Sequence, residues 1–467
     1  MNSKEKTQAS ISLRSFATAI IVIFALMVAT YVLTMVIPGG EYARITDEDG
    51  NSVIDTEGGF SYVEGGISFF DWLLSPVLVL GASGSGALIA VIIFLLVIGG
   101  IFSALEQCGI IRYMLDALTA KFGRVKYRLM ATIMLFFMGL GAMIGSFEEC
   151  VPLVPIVVAL AIRLGWDAPV GIAMSLLSTG CGFASGICNP FTVGVAQQLA
   201  GLPMFSGVWF RILAFVLIYA LLFGFVYLYA RKIERKDETR EDCGVFVKDE
   251  KMQKGIICFS SILGFGIVLV LCSGFIPALQ DYTMIIVALT FLIGGIISTL
   301  MCGMKPAALL SQCGKGVIGI LPAVLMILMA SSIKYTLETA KVMDTILNGA
   351  CNLAKHLPGW SIILFIYLIV LIMNFFIPSG SAKAFMLIPL IAPLAQIFGV
   401  STQLCIVAFA FGDGFSNTIY PTNPALLISL GLADVSYGRW FKWSWSFQAL
   451  NIILTSGILL LGYFIGY

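Results

Sequence analysis

Apolar residues in this chain gather into long charge-free stretches instead of alternating with polar ones. Such runs recur at 15–40, 72–105, 129–147, 168–210, 212–230, 255–280, 282–304, 316–333, 357–382, 384–412, 414–433 and 443–467. Crossing a bilayer takes about 20 apolar residues, so the pattern predicts an all-α polytopic membrane protein. The first run is too long for an ordinary signal-peptide core. No small-x-small cleavage site follows it before Ile37-Pro38-Gly39-Gly40, so it is expected to be a retained helix.

Lysines and arginines in short loops predict the orientation. Lys4, Lys6 and Arg14 place the N-terminus in the cytoplasm, and the acidic loop 38–71, whose only cation is Arg44, lies outside. Arg112, Lys121, Arg124, Lys126 and Arg128 mark a cytoplasmic loop, and the mixed-charge segment 231–254 a cytoplasmic linker between halves. The C-terminus then falls outside. The outer segment around Lys334, Lys341 and Lys355 runs against the rule.

The second half echoes the first at a constant offset of 234 residues. Leu153, Pro155, Leu160, Ala161, Gly165, Ile172, Gly180, Asn189, Pro190 and Trp209 meet Leu387, Pro389, Leu394, Ala395, Gly399, Ile406, Gly414, Asn423, Pro424 and Trp443. Asn-Pro occurs twice in the chain, and the two copies align. By the loop charges the copies enter the membrane from opposite sides, which predicts inverted repeats of the kind that secondary transporters use.

Each copy carries two helix-breaking features. One is a small-residue tip between apolar arms: Gly145-Ser146-Phe147-Glu148-Glu149 in the first, Pro378-Ser379-Gly380-Ser381-Ala382-Lys383 in the second. The arms predict re-entrant hairpins over 126–165 and 360–399, with tips near Ser146 and Gly380. The other is a Gly-rich stretch before Asn-Pro, at 178–190 and 412–424. Glycine costs about 1 kcal/mol and proline about 3 in a helix interior, so these stretches are expected to unwind. Freed carbonyls bind cations and helix N-termini favour anions. Carbonyls near Gly180, Gly182, Gly412 and Asp413 are therefore candidates for cation coordination, with no dedicated metal centre expected.

Composition narrows the chemistry. The chain is 59% hydrophobic and 11% charged, with net charge +1; soluble domains carry about 25% charged residues. The charge balance argues against a nucleic-acid partner. Cysteines are scattered without a C-x-x-C, and His356 is the only histidine. Neither a thiolate metal site nor a histidine-based triad is predicted, and no P-loop or nucleophile-elbow motif is present. An enzyme is not expected, nor a cofactor. Charged residues at membrane depth are costly and mark function, which singles out Glu148, Glu149, Lys383 and Asp413. Lys383 reaches either the site or the interface, and Asp413 either the site or a helix end. Ser146, Ser379, Gly380, Ser381, Asn189, Asn417, Thr422 and Asn423 complete the candidate substrate-binding set.

The strings Ser146-Phe147-Glu148-Glu149 through Pro155, Asn189-Pro190-Phe191-Thr192-Val193-Gly194, Ile377-Pro378-Ser379-Gly380-Ser381, Phe411-Gly412-Asp413-Gly414 and Pro421-Thr422-Asn423 resemble the C4-dicarboxylate anaerobic carrier family, in its basic amino acid antiporter-like branch, within the ion transporter superfamily. The resemblance implies a transporter of the bacterial inner membrane with an elevator mechanism and a homodimeric scaffold. Sodium or a proton is the candidate coupling ion. It divides the chain into scaffold helices with the outer loop (1–125), a first transport part (126–206), scaffold helices with the linker 231–254 (207–359), a second transport part (360–436) and a C-terminal scaffold helix (437–467). Glu148, Glu149 and Asp413 against Lys383 fit a substrate with both charge signs, such as arginine or ornithine: its carboxylate meets Lys383 and its distal cation meets the glutamates. The alternative is a sodium- or proton-coupled C4-dicarboxylate carrier.

Overall fold

The computed structural model describes residues 13–46, 52–54, 59–82, 85–145, 147–203, 205–234, 249–273, 282–354 and 357–467. Ser146, Lys355, His356 and most of the 231–254 linker lie outside the described residues. Among those described, nine helices are long and apolar enough to cross a membrane.

Helix α1 (Leu13–Val36) leads into the acidic loop. There the all-α expectation needs a small correction. The loop holds strands β1 (Gly40–Tyr42), β2 (Arg44–Thr46), β3 (Ser52–Ile54) and β4 (Phe60–Tyr62), with β1 antiparallel to β4 and β2 antiparallel to β3. Helices α2 (Phe69–Leu78) and α3 (Gly86–Gln107) follow. Next come α4 (Ile110–Phe122), α5 (Lys126–Ile144), α6 (Val154–Arg163), α7 (Ala168–Ile172), α8 (Ser178–Ser185), α9 (Val195–Leu199) and α10 (Val208–Ile233). The second half contains α11 (Glu250–Ser273), α12 (Thr283–Met301), α13 (Pro306–Thr339), α14 (Met343–Ala354), α15 (Gly359–Phe376), α16 (Gly380–Ile397), α17 (Thr402–Ser416), α18 (Pro424–Leu432) and α19 (Tyr437–Ile465).

Shifted by 234 residues, α4 falls on α14, α5 on α15 and α10 on α19 to within about five residues, and α6 falls on the second half of α16. Helices α4 and α14 are amphipathic segments that the charge pattern marks as loops. Short amphipathic helices of this kind lack the continuous apolar run that signals a span.

The cations that run against the charge rule have local partners. Arg44 Nη2 donates to both carboxylate oxygens of Asp344, at 3.0 and 2.9 Å. Lys341 pairs with Glu41 at 3.2 Å, and Lys334 with Glu338 at 3.4 Å. The acidic loop is thus fastened to the segment that precedes α15, and Lys341 offsets one of its carboxylates, Glu41.

The two ends of the α5–α6 segment meet. Lys126 Nζ donates to Leu164 O at 3.3 Å, and the Tyr127 and Trp166 rings lie 5.6 Å apart. The ends of α15–α16 meet as well: a Cβ on Gly359 would lie 3.2 Å from Phe398 O. The bases sit at opposite ends of α10. Lys126 and Tyr127 bond Glu234, just past its last turn. At its other end Tyr467 Oη donates to Gly207 O at 2.6 Å, and Tyr467 O accepts from Ser401, beside the end of α16.

The Lys126 ammonium, followed by the Tyr127 hydroxyl, holds the Glu234 carboxyl below the usual carboxylate range. A carboxyl lowered on folding stabilises above its ordinary pKa, near 4.3, and that contribution is lost as pH falls through the folded value. For a half-exposed pair it amounts to about 1 kcal/mol or less. At one neutral pH, a cysteine at Leu164 should therefore label faster in the Glu234→Gln variant than with Glu234 in place, and equal rates would show that the pair does not hold the hairpin base.

Candidate functional site

The glycines at the centre do not unwind. Ser178–Ser185 is helical through Gly180 and Gly182, and Thr402–Ser416 is helical through Gly412, Asp413 and Gly414. Their value lies in close approach: a Cβ on Gly182 would strike the Met138 carbonyl of α5, and one on Gly414 would strike the Ala184 backbone of α8. Packing at this range outweighs the helix cost of each glycine. The breaks come one turn later, at 186–189 and 417–423. Gly186 closes α8 with φ +50°, the left-handed conformation that glycine adopts without strain.

The candidate cation carbonyls are likewise taken. Gly182 O accepts from Gly186 N at 3.0 Å, Gly412 O from Ser416 Oγ at 2.8 Å and Asp413 O from Asn374 Nδ2 at 2.9 Å. Past the breaks, the carbonyls freed from helix bonding are met by side chains. Arg211, fully buried, donates to Ile187 O, Ser206 O and Phe205 O. Trp440 Nε1 donates to Thr418 O and Tyr437 Oη to Ile419 O, both at 2.8 Å. No cluster of three metal-ligating side chains occurs among the described residues.

Asn189 and Asn423 cap the helical turns after the breaks. Asn189 Oδ1 accepts from Phe191 N and Thr192 N at 3.0 and 3.3 Å; Asn423 Oδ1 accepts from Leu426 N at 3.2 Å. Asp413 lies inside α17 and caps nothing. It joins Lys383, and both are fully buried. Lys383 Nζ lies 2.6 Å from Asp413 Oδ1 and 3.0 Å from Ile377 O, and bonds Asn374 Oδ1. An ammonium has three donors, and all three are committed inside the protein. Lys383 therefore neither reaches the interface nor presents a free donor for a substrate carboxylate. Asn374 extends the network to Ser416 Oγ at 2.6 Å and Asn417 Oδ1 at 2.9 Å, and Asn417 Oδ1 also accepts from Asn423 Nδ2 at 3.1 Å.

The tips converge on the breaks. A Cβ on Gly380 would lie 2.6 Å from Asp413 Oδ2 and from Thr192 Cγ2, so the second tip touches both halves. Gly145, at φ +75°, packs against the Asn189 side chain. Phe147 lies against Gly180 and Phe183. Four buried polar atoms at this convergence have no partner among the described residues: Asn189 Nδ2, Thr192 Oγ1, Asp413 Oδ2 and Thr422 Oγ1. Ser381 is half-buried beside Gly380, and Ser379 is exposed.

Glu148 and Glu149 open a 3-10 segment, Glu148–Leu153, just past the first tip, both half-buried. Glu148 lies within electrostatic reach of Glu149 and Asp413. Glu149 is not drawn into the Lys383 network. It lines a cavity of about 40 Å³ where Leu140 and Cys150 face Gly266 and Ile267 of α11 and Phe291 of α12.

Three contributors escaped the sequence reading. Asn374 is a lone amide in an apolar run, a signal that was available. Thr192 follows an Asn-Pro already noticed. Arg211 is taken for a run boundary because it is charged, whereas the freed carbonyl of Ile187 draws it inward.

Membrane-spanning helices around a buried polar centre define a polytopic transport protein. The chain belongs to the C4-dicarboxylate anaerobic carrier family, DcuC, which it matches over residues 16–464. It is 31% identical over 409 residues to "Putative basic amino acid antiporter YfcC" of Escherichia coli K12, covering 82% of this chain and 80% of that protein. Two solved transporters are more distant. The YdaH transporter of Alcanivorax borkumensis is 18% identical, with 97% of this chain and 99% of that one covered and a TM-score of 0.45. MtrF of Neisseria gonorrhoeae, described among antimetabolite efflux pumps, is 15% identical, with 95% and 94% covered and a TM-score of 0.48.

Proposed function

We propose that this protein is a secondary active transporter that exchanges basic amino acids across the bacterial inner membrane by an elevator movement. The observation that carries the substrate class is the charge at the tips. Lys383 pairs with Asp413, and Glu148 and Glu149 place two adjacent carboxylates just past the first tip. A cationic side chain compensates them, whereas a dianion meets repulsion. With the Lys383 donors taken, the substrate's α-carboxylate is assigned to the N-terminus of α16 and the unpartnered groups beside it, Asn189 Nδ2, Thr192 Oγ1 and Thr422 Oγ1. The YfcC likeness supports this reading; the family's own description favours a dicarboxylate, which the test below separates.

The movement rests on the repeats. Segments 126–164 and 359–398, each returning to its own base at opposite ends of α10, are read as re-entrant hairpins of inverted repeats. Helices α10 and α19 pack on α5, α8, α15 and α17, while α1, α2, α3, α11, α12 and α13 pack mainly among themselves. The mobile unit is therefore taken to include α10 and α19, a larger body than 126–206 with 360–436. The second group is the scaffold and carries the dimer contact. The N-terminus lies in the cytoplasm and the C-terminus outside.

The Glu149-lined cavity lies on the boundary between these bodies. Leu140 and Ile267 face one another across it. With the eleven native cysteines replaced, a disulfide between Leu140→Cys and Ile267→Cys should stop exchange, and reduction should restore it. Undiminished exchange with the cross-link complete would exclude the elevator. Exchange of dicarboxylates in preference to arginine would replace the substrate reading.

A further inference from the structure

We infer that the Lys383 ammonium occupies a monovalent-cation site at the second hairpin, so that closure of this tip needs no metal ion there. Nζ sits at zero exposure among three oxygens of three chemical kinds: a carboxylate, Asp413 Oδ1 at 2.6 Å; a backbone carbonyl, Ile377 O at 3.0 Å; and an amide carbonyl, Asn374 Oδ1. Carboxylate, backbone and amide oxygens are the ligand set by which proteins hold hard cations. An ammonium is a compact point charge that such a cage accepts equally.

The cage is held by a second layer. The Nδ2 of Asn374 bonds Asp413 O, Ser416 Oγ and Asn417 Oδ1, which fixes its Oδ1 toward the lysine. The other oxygen of Asp413 faces Gly380, the first residue of α16. One oxygen of the carboxylate thus holds the tethered cation, while the other lies against the start of the hairpin's second arm. The first repeat has no such cage. At the 234-residue offset Lys383 becomes Glu149, Asp413 becomes Thr179 and Asn374 becomes Leu140. The resident cation belongs to one tip, and a mobile one, whether ion or cationic substrate, is left to the other.

The consequence for coupling rests on the transporter reading; the occupancy of the cage does not, and its test needs no substrate. Lys383→Ala empties the cage of its ammonium and leaves its oxygens. Thermal unfolding of the purified variant in choline chloride should rise by several degrees, saturably, on addition of ammonium, methylammonium or potassium. The wild type and Lys383→Ala/Asp413→Asn should not respond. A folded Lys383→Ala that ignores all three cations overturns the inference. If that variant does not fold, the wild type and Asp413→Asn decide. Any shift that sodium or potassium gives in the wild type should survive in Asp413→Asn, because it arises outside the cage. A saturable metal-ion shift in the wild type that Asp413→Asn abolishes would show that a metal, not the lysine, fills the site. Failure to exchange arginine in liposomes would count against the proposed substrate and leave these outcomes unchanged.

Discussion

Replacing Lys383 with Met should cost about 3–5 kcal/mol of stability, the usual effect of removing one partner from a buried ion pair. Methionine fills the volume of the lysine stem but offers Asp413, Asn374 and Ile377 no donor. Asp413 would be left ionised at zero exposure with one oxygen already unpartnered, and the protein has to hydrate it, protonate it or unfold. The defect is electrostatic, so the double variant Lys383→Met/Asp413→Asn should recover most of the loss. Buried pairs replaced by neutral groups of similar volume are often close to neutral in stability. Midpoints of thermal unfolding for the wild type, both single variants and the double variant form the cycle. Additive losses would mean that the two side chains do not act as a pair.

The second large effect concerns affinity. Glu148→Gln and Glu149→Gln should each weaken binding of arginine or ornithine by roughly ten- to hundredfold, the range for a charge-assisted hydrogen bond worth about 1.5–3 kcal/mol. Both glutamates are half-buried, so the effect should stay below that of a fully desolvated pair. A neutral amino acid of similar size should lose far less, because it keeps the carboxylate contacts and never used the glutamates. Isothermal titration on purified protein separates the two. Equal losses for neutral and basic ligands would assign the glutamates to structure.

Much of the architecture is written in the sequence because membrane helices announce themselves by length. The runs at 129–147, 357–382 and 443–467 became α5, α15 with the start of α16, and α19. The 234-residue offset, found on ten scattered identities, also aligns helix with helix. The glycines misled because propensity is a local quantity. Gly180, Gly182, Gly412 and Gly414 lower helix stability by themselves, but Gly182 lets α8 approach α5, Gly414 lets α17 approach α8, Gly412 lets α17 approach α15 and Gly180 makes room for Thr418, none of which a Cβ would allow. Lys383 and Asp413 were recognised as important, yet their pairing was not legible. They lie 30 residues apart on different helices, and only the convergence of tip and broken helix brings them to 2.6 Å. Arg211 shows the reverse error: a charge read as the edge of a span is buried because a chain break supplies carbonyls for it.

The central claim is that the adjacent carboxylates of Glu148 and Glu149 just past the first tip select a cationic amino acid. Counterflow into proteoliposomes loaded with unlabelled substrate tests it most directly, with labelled arginine, ornithine, leucine, succinate and fumarate presented singly at the same concentration and pH. The account predicts that arginine and ornithine accumulate, that leucine lags well behind and that the dicarboxylates stay at background. Accumulation of succinate or fumarate with arginine at background would contradict it.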